Sequence, residues 1–450
     1  MKTDFFWIAV SVLVAALVTA TMVIGEVTLG TVLFVAAGMV ITVRVAGRIA
    51  VDSDRTWLTT LLPLAFVAKI AGSIVRYLAV TELFQTGDSI AYYDRAIVLA
   101  HTWRSFKVPE GTVGGAGTRF VDVFTSFLFL PSIPTFLLGF FMFATLSFIG
   151  TILFYLAFRR WFTDPKLLRL YALFVFFMPS LLFWPSSIGK DAIMMFSLGF
   201  AAYGGARVLE GSYLRGMAIA APGLLLGVAV RPHVAALVVA ALVFALVLTR
   251  ARIGNTGSFA RLVALVIAVA ILSFVALTAA ETLRIGTDTE GLDEFLVETE
   301  RRTAQGGAAV TGSPVSSPLD LPEATLRVMF RPFPHEAGNL PALAASVEGL
   351  FLIILLISRL PTIARNIARV RFHPYMLFVV LYIAGFVVAF SAVFNLGILA
   401  RQRVQVLPFL LAALVGLGWG HINRPGERES QDKVLAAGGS GQPTSAGGPR

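Results

Sequence analysis

The chain has 450 residues, of which 57% are hydrophobic and only 14% are charged, and its mean hydropathy is +0.82. A soluble domain is about half apolar and about a quarter charged, so this chain has too few polar residues to cover a water-soluble globule. These totals exclude a soluble enzyme and a nucleic-acid-binding domain, and the lack of cysteine excludes a disulfide scaffold. They predict an all-α, polytopic membrane protein.

Apolar runs predict about twelve transmembrane helices, within a range of eleven to thirteen; the two runs around Arg231 give eleven if they form one broken helix. No small-residue cleavage site follows the first run, which we therefore interpret as a retained span. These helices would form a transmembrane domain over 1–424, and the composition of 425–450 predicts a disordered tail. The predicted spans are 5–24, 28–44, 57–80, 132–158, 169–185, 192–208, 216–230, 234–249, 261–280, 345–358, 375–395 and 403–420.

The distribution of Lys and Arg predicts which way the helices face. Alternate connections on one side contain 16 basic and four acidic residues, whereas the long loops 82–131 and 281–344 together contain 9 basic and 15 acidic residues. Basic residues accumulate in cytoplasmic connections. We therefore expect both termini to be cytoplasmic and both long loops to face outward, and most of the net charge of +10 is a topology signal.

Several charged residues lie at the outer ends of spans, where this bias disfavours cations. Charges beside apolar spans are costly and usually mark function. For Lys190 and Asp191 the simpler alternative is an ion pair at the start of a helix. For Arg401 and Arg403 it is snorkelling of the side chains to the membrane surface. The six residues are Lys190 and Asp191 in FWPSSIGKD, Arg231 and His233 in VRPH, and Arg401 and Arg403 in NLGILARQR.

Both long loops add candidates at the same membrane face. In the first loop, TGDSIAYYDRAIVLAHTW predicts an interfacial amphipathic helix headed by Asp88, for which helix capping alone is the simpler interpretation. In the second loop, two prolines in RVMFRPFPHEAGN prevent a regular helix. Arg331, His335 and Glu336 are therefore expected on irregular backbone near the membrane.

A carboxylate facing several cations at a membrane surface suits a lipid phosphate or pyrophosphate, because guanidinium groups match its oxygens. A sugar donor carried on polyprenyl phosphate has this anion as its leaving group. Its transfer requires charge stabilisation at the phosphate and a base for the acceptor hydroxyl. We predict that the phosphate is bound by Lys190, Arg231, Arg401 and Arg403, with help from Arg331 or His335.

The segment TGDSIAYYDRA resembles the first outer loop of GT-C-type integral membrane glycosyltransferases, which use polyprenyl-phosphate-linked sugars. The resemblance implies that Asp88 is the catalytic base, with Asp94 as the alternative, and that Tyr92 is the aromatic residue that often follows the base. It also implies a bacterial cytoplasmic membrane and a cell-envelope glycan or lipid-linked acceptor. Here the loop follows the third predicted span, whereas in typical members it follows the first.

Two other functions remain open. The pattern of spans, outer loops and outer cations also resembles bacterial O-antigen and exopolysaccharide polymerases, which use lipid-pyrophosphate-linked repeats. A non-enzymatic transporter or flippase of an anionic lipid is the second alternative. No nucleotide-binding fingerprint is present, and the five His have no metal-ligand spacing. The one cofactor we consider is Mg²⁺ or Mn²⁺ shared by Asp88 and Glu336.

Overall fold

A computed structural model describes residues 25–50, 57–85, 87–108, 117–131, 134–249 and 317–420, together with a few isolated positions. The predicted spans 5–24 and 261–280, the predicted tail 425–450 and most of the second long loop lie outside these residues. The described ranges contain helices, turns and irregular backbone, and no strand. The all-α prediction is therefore confirmed for this part of the chain.

Fifteen α-helices account for most of the described residues. A π-helical turn over Ala79–Phe84 extends the second, and a 3₁₀ turn over Trp184–Ser186 follows the seventh. In chain order the helices are α1 Leu29–Ile49, α2 Leu58–Leu78, α3 Asp88–Arg104, α4 Thr118–Leu128, α5 Phe136–Trp161, α6 Pro165–Phe177, α7 Pro179–Phe183, α8 Lys190–Leu209, α9 Tyr213–Val230, α10 Pro232–Leu248, α11 Leu321–Phe330, α12 Leu340–Ile367, α13 Pro374–Phe390, α14 Leu396–Gln402 and α15 Leu407–Gly418.

Six helices are long and apolar enough to cross a membrane, and the number rises to eight if two bent helix pairs each count as one span. The protein is therefore a multi-pass helical membrane protein. The predicted number of twelve is not confirmed. Two of the predicted spans fall outside the described residues, and two more, α10 and α13, have only 17 residues each. The predicted span 345–358, by contrast, is part of the 28-residue helix α12.

Prolines explain where the apolar runs are broken. The predicted span 169–185 consists of α6 and α7, which meet at a bend of 51° because the extended Met178 precedes Pro179. The predicted span 403–420 begins with a 3₁₀ turn, and α14 and α15 meet there at 63°. Arg231, which precedes Pro232, has φ −146° and ψ 81° and separates α9 from α10. The two runs around Arg231 are thus separate helices.

Helix α8 lies at the centre of the bundle, and 78% of its apolar stretch is buried inside the protein. Close contact with α5 depends on glycine, because a Cβ on Gly199 would lie 2.4 Å from the Gly150 carbonyl oxygen. On the α9 side, a Cβ on Gly204 would lie 2.5 Å from the Ala220 nitrogen. This packing fixes the position of the N-terminus of α8, which begins at Lys190.

The two ends of the bundle differ in charge. At one end, which we call the basic end, Arg159 donates to the Ile49 carbonyl at 2.9 Å and Arg160 donates to Glu210 at 2.6 Å. Arg359 also lies there, with its guanidinium carbon 4.1 Å from the Trp419 ring centroid. The opposite end contains the N-termini of α3, α5, α8 and α10. We call it the cluster end.

Candidate functional site

Three helix N-termini meet at the cluster end: those of α3 at Asp88, α8 at Lys190 and α10 at Pro232. The α3–α4 connection reaches α9 through a hydrogen bond of 2.8 Å from the Gly117 amide to the Ala229 carbonyl. The first turn of each helix has backbone N–H groups without intrahelical acceptors, and the helix dipole is positive there. The backbone alone therefore favours negative charge at this place.

Asp191 lies at the middle of an ion network in which two arginines share one carboxylate. It is only 4% exposed. Arg401 Nε donates to Asp191 Oδ2, and Arg231 Nη2 lies 3.0 Å from Asp191 Oδ1. Arg401 Nη1 also donates to Asp88 Oδ2 at 3.0 Å. Arg401 thus connects a buried carboxylate to the accessible carboxylate of Asp88, whose side chain is 60% exposed.

Lys190 completes this group, which we call the arginine–aspartate cluster: Asp88, Lys190, Asp191, Arg231 and Arg401. The Lys190 ammonium lies 3.7 Å from the position that a Cβ on Gly117 would occupy. It is within electrostatic range of the other four members. Asp191 pairs with the two arginines rather than with its neighbour Lys190. Lys190 and Asp191 are therefore not simply an ion pair that opens helix α8.

Tyr92 closes one side of the cluster. It is buried, and its ring lies 3.6 Å from the position of a Cβ on Gly189, which has a φ of +154°. Burial raises the pKa of the Tyr92 hydroxyl above its ordinary value, although a hydrogen bond with Thr118 opposes the change. The phenol therefore stays protonated at neutral pH. The Arg95 guanidinium lies over the same ring at 5.4 Å.

Arg76 on α2 is a fourth cation beside the cluster, and its position could not be assigned from the sequence. Its guanidinium carbon lies 4.9 Å from the ring centroids of both Phe183 and Trp184. It is within electrostatic range of Arg401 and of both cluster aspartates. Its Nε is buried and has no hydrogen-bond partner among the described residues.

A polar stripe on α2 holds the broken α6–α7 segment that leads into the cluster. Lys69 Nζ donates to the Leu181 carbonyl at 2.7 Å, and Ser73 Oγ donates to the Ser186 carbonyl at 2.9 Å. Arg76 continues the stripe at the next helical turn. The i, i+4, i+7 spacing of these three residues is the sequence signal for this face.

Arg403 is placed away from the cluster, although it is only two residues from Arg401. It is 0% exposed, and its Nη1 donates to the carbonyls of Met329 and Arg331 at 3.0 and 3.3 Å. Its Nη2 lies 3.7 Å from Glu348 on α12. Arg403 therefore joins α14 to α11 and α12, and protein atoms enclose it completely.

Arg331, His335 and Glu336, which belong to the described part of the second long loop, form their own local structure. Arg331 Nε donates to Glu336 Oε1 at 2.9 Å, and the Phe333 amide donates to Glu336 Oε2 at 2.8 Å. Burial opposes ionisation of Glu336, but these hydrogen bonds lower its pKa overall. His335 is exposed and stacks beside Phe333 at 6.0 Å. Arg331 and Glu336 thus neutralise each other instead of extending the cluster.

Two further candidate residues lie at the margins of the site. His233 is in the first turn of α10, with its ring centroid 6.1 Å from that of Phe390. Asp94 is exposed on α3, six residues after Asp88, and lies between two surface clefts. Asp88 itself is the first residue of α3, where a carboxylate suits the helix dipole, and it also pairs with Arg401.

Divalent-cation binding has no ready set of ligands in the described ranges, where no group of three His, Asp or Glu side chains is close enough to hold a metal. Asp88 is paired with Arg401, and Glu336 is paired with Arg331. The two carboxylates considered for Mg²⁺ or Mn²⁺ therefore each have an arginine partner, and they belong to separate networks.

The cluster has the charge and the free donors to bind an anion. With Arg76, four cations face two carboxylates, so two positive charges remain uncompensated. Arg231 Nη1 is buried and has no hydrogen-bond partner among the described residues, and the Arg401 side chain is 27% exposed. Unsatisfied guanidinium groups are strong donors for phosphate oxygens. No protein-family model, curated protein or solved structure matches the chain.

Proposed function

We propose that the protein is a membrane glycosyltransferase that moves a sugar from a polyprenyl-phosphate donor to a cell-envelope glycan or lipid-linked acceptor. The observation that carries the proposal is the double pairing of Arg401 with buried Asp191 and exposed Asp88. One guanidinium therefore joins an anion-binding region to an accessible carboxylate. Such an arrangement supplies both requirements of glycosyl transfer from a phosphate leaving group.

The reaction assigns a role to each member of the cluster. The acceptor hydroxyl oxygen forms a bond to the anomeric carbon while the bond from that carbon to the phosphate oxygen breaks. The hydroxyl proton passes to Asp88, and the phosphate leaves with the electron pair of the broken bond. Arg231, Arg401 and Lys190 stabilise the negative charge that develops on the phosphate. Asp191 holds both arginines in position, and its burial fixes their geometry.

The distribution of basic residues between the two ends of the bundle supports an extracytoplasmic reaction. Basic residues that end the helices lie at the basic end, and such residues favour the cytoplasmic side. The cluster end then faces outward, where a polyprenyl phosphate places its headgroup at the membrane surface. We accordingly propose a bacterial cytoplasmic membrane location with both termini in the cytoplasm.

The surplus of two positive charges favours a second candidate, a polysaccharide polymerase that uses lipid-pyrophosphate-linked repeats. A diphosphate leaving group carries more negative charge than a monophosphate, and Arg76 adds a fourth cation within electrostatic range of Arg401, Asp191 and Asp88. The accessible Asp88 suits either reaction. Loss of activity mainly on substitution of Asp88 would favour the transferase, and loss mainly on substitution of the arginines would favour the polymerase.

A donor-consumption assay tests the proposal. In parallel reactions, the full-length protein in lipid nanodiscs is given radiolabelled polyprenyl-phosphate sugars, polyprenyl-pyrophosphate-linked repeats or nucleotide sugars, each together with a solvent extract of the envelope glycans. We expect release of polyprenyl phosphate and movement of label into the acceptor fraction, and loss of both in Arg401→Gln. Consumption of pyrophosphate-linked repeats alone would establish the polymerase instead. Transfer from a nucleotide sugar with every lipid-linked donor left intact would overturn both.

A further inference from the structure

Two clefts lie along α3 outside the arginine–aspartate cluster, and each has a volume of about 350 Å³. One is lined by residues of α3 and α4, and the other lies between α3 and the ends of α2 and α5. Asp94 lines both of them. Neither cleft has a role in binding the donor phosphate as described above.

Helix α3 connects the cluster to the first cleft. Asp88, Tyr92 and Arg95 have the spacing i, i+4, i+7 and lie on one face of the helix. Asp88 pairs with Arg401, and the Tyr92 ring lies between the cluster and the Arg95 guanidinium. Seven residues of helix span about 10 Å. A ligand in the cleft would therefore lie about 10 Å along the helix from the proposed base, a distance that a short chain molecule can bridge.

The charge of the first cleft differs from that of the cluster. Its polar lining consists of two carboxylates and two guanidinium groups, from Asp94, Asp122, Arg95 and Arg119. Opposite charges balance there, whereas the cluster has a positive surplus. Most of the exposed surface of the cleft is apolar, and its balanced charges do not select an anion or a cation. The cleft suits a neutral molecule with many hydroxyl groups, since each hydroxyl both donates and accepts hydrogen bonds.

Asp122 provides an observation that points to a missing partner. The residue is 8% exposed, and Arg95 Nε donates to its Oδ2 at 2.9 Å. Its Oδ1 has no hydrogen-bond donor among the described residues. A buried carboxylate oxygen without a donor is costly. The Arg95 side chain is 46% exposed, and a hydroxyl that enters the cleft beside it would supply the donor.

The second cleft adds aromatic surface. Tyr93 and Phe136 line it together with Thr81 and Gln85, and the two ring centroids are 5.0 Å apart. The Tyr93 hydroxyl donates to the Pro134 carbonyl at 2.8 Å, which fixes the ring. Fixed aromatic rings beside amide, hydroxyl and carboxylate groups match a sugar, which has apolar C–H faces and polar edges.

We propose that the two clefts that share Asp94 bind a neutral oligosaccharide, the acceptor glycan, and direct its terminal hydroxyl to Asp88. The role of this oligosaccharide as the acceptor rests on the proposed glycosyltransferase function. Its binding at the clefts is measurable without any sugar transfer. Asp122 and Asp94 accept hydrogen bonds from the sugar hydroxyls, and Tyr93 contacts a sugar face.

Binding of neutral saccharides tests this site. The full-length protein in nanodiscs is presented to an array of short neutral oligosaccharides and to sulfated versions of the same set. We expect at least one neutral probe to bind, and Asp122→Asn to weaken it by about tenfold, the size expected for one hydrogen bond to a charged group. Asp94→Asn provides a second variant at an exposed position, where folding is not at risk, and is expected to weaken the same probe.

Two controls separate this site from the cluster. His101→Ala changes an exposed residue near the far end of α3 and should leave saccharide binding unchanged. Arg401→Gln should also leave it unchanged, because Arg401 acts on the donor, so failure of the proposed function would not remove saccharide binding. The proposal is overturned if no neutral probe binds, if only sulfated probes bind, or if both aspartate variants bind as the unaltered protein does.

Discussion

Replacing Asp191 with Asn is expected to destabilise the protein by about 3–5 kcal/mol, the range measured when one partner of a buried ion pair is removed. The reason is that Arg231 and Arg401 both pair with this carboxylate. Without it, Arg231 is a buried cation with no carboxylate partner in the described chain. The thermal unfolding midpoint of the detergent-purified protein measures the effect, and phosphate-lipid binding should fall with it.

An exposed ion pair provides the matched control for Asp191. Arg160 and Glu210 are 29% and 40% exposed at the basic end, so Glu210→Gln should change stability by no more than about 1 kcal/mol. The double variant Asp191→Asn, Arg231→Gln removes both partners of the buried pair and should recover much of the lost stability. Equal effects of Asp191→Asn and Glu210→Gln would show that the buried network does not hold the site together.

Replacing Asp88 with Asn is expected to lower the rate of sugar transfer by about 10²–10⁴-fold, the usual contribution of a general base. Asparagine keeps the size of the side chain but cannot accept the hydroxyl proton. Arg401 keeps its bond to Asp191, so binding of polyprenyl phosphate should change only a few-fold. Single-turnover transfer and lipid binding, measured on the same preparation, distinguish the two effects.

Asp94→Asn is the informative comparison, because Asp94 is on the same helix and is also exposed. As part of the saccharide clefts, Asp94 should affect the acceptor KM more than kcat. The base assignment would move to Asp94 if its variant lost kcat while Asp88→Asn kept it. Full activity in both variants would exclude a carboxylate base on α3.

The helical fold was predictable from composition and apolar runs, but the number of spans was not. Hydropathy reports how apolar a segment is and does not report whether the segment is straight. The predicted span 169–185 is divided at Pro179 into α6 and α7, which are bent by 51°. A proline before a short apolar run indicates such a break. It does not give the angle, which depends on packing against α2 and α12.

The Lys and Arg bias drew attention to cations at the predicted outer ends of spans, and the structure brings Lys190, Asp191, Arg231 and Arg401 together. It places Arg403 elsewhere. Residues two apart on a helix point in directions that differ by about 200°, because each residue turns by about 100°. Arg401 and Arg403 therefore face opposite sides of one segment, so only one of them was able to face the site. The sequence alone did not show which one, since the answer depends on where α11 and α12 pack.

Long-range partners were the least predictable part of the site. Lys69 lies inside a predicted apolar span, and its partner is the Leu181 carbonyl in the short helix α7. The carbonyls at the end of a short helix lack intrahelical donors and accept such bonds. Nothing in the local sequence identifies a residue 112 positions away. Asp122 was missed for the same reason, since its partner Arg95 lies on another helix.

The central claim is that the arginine–aspartate cluster binds a lipid phosphate, and a comparison of two lipids tests it most directly. Polyprenyl phosphate and the corresponding polyprenol, which lacks the phosphate, are titrated separately into the full-length protein in nanodiscs, and bound lipid is counted by native mass spectrometry. We predict that the phosphate lipid binds at least tenfold more tightly, and that Arg401→Gln reduces it to the level of the alcohol. Equal binding of the two lipids by the unaltered protein would contradict the claim.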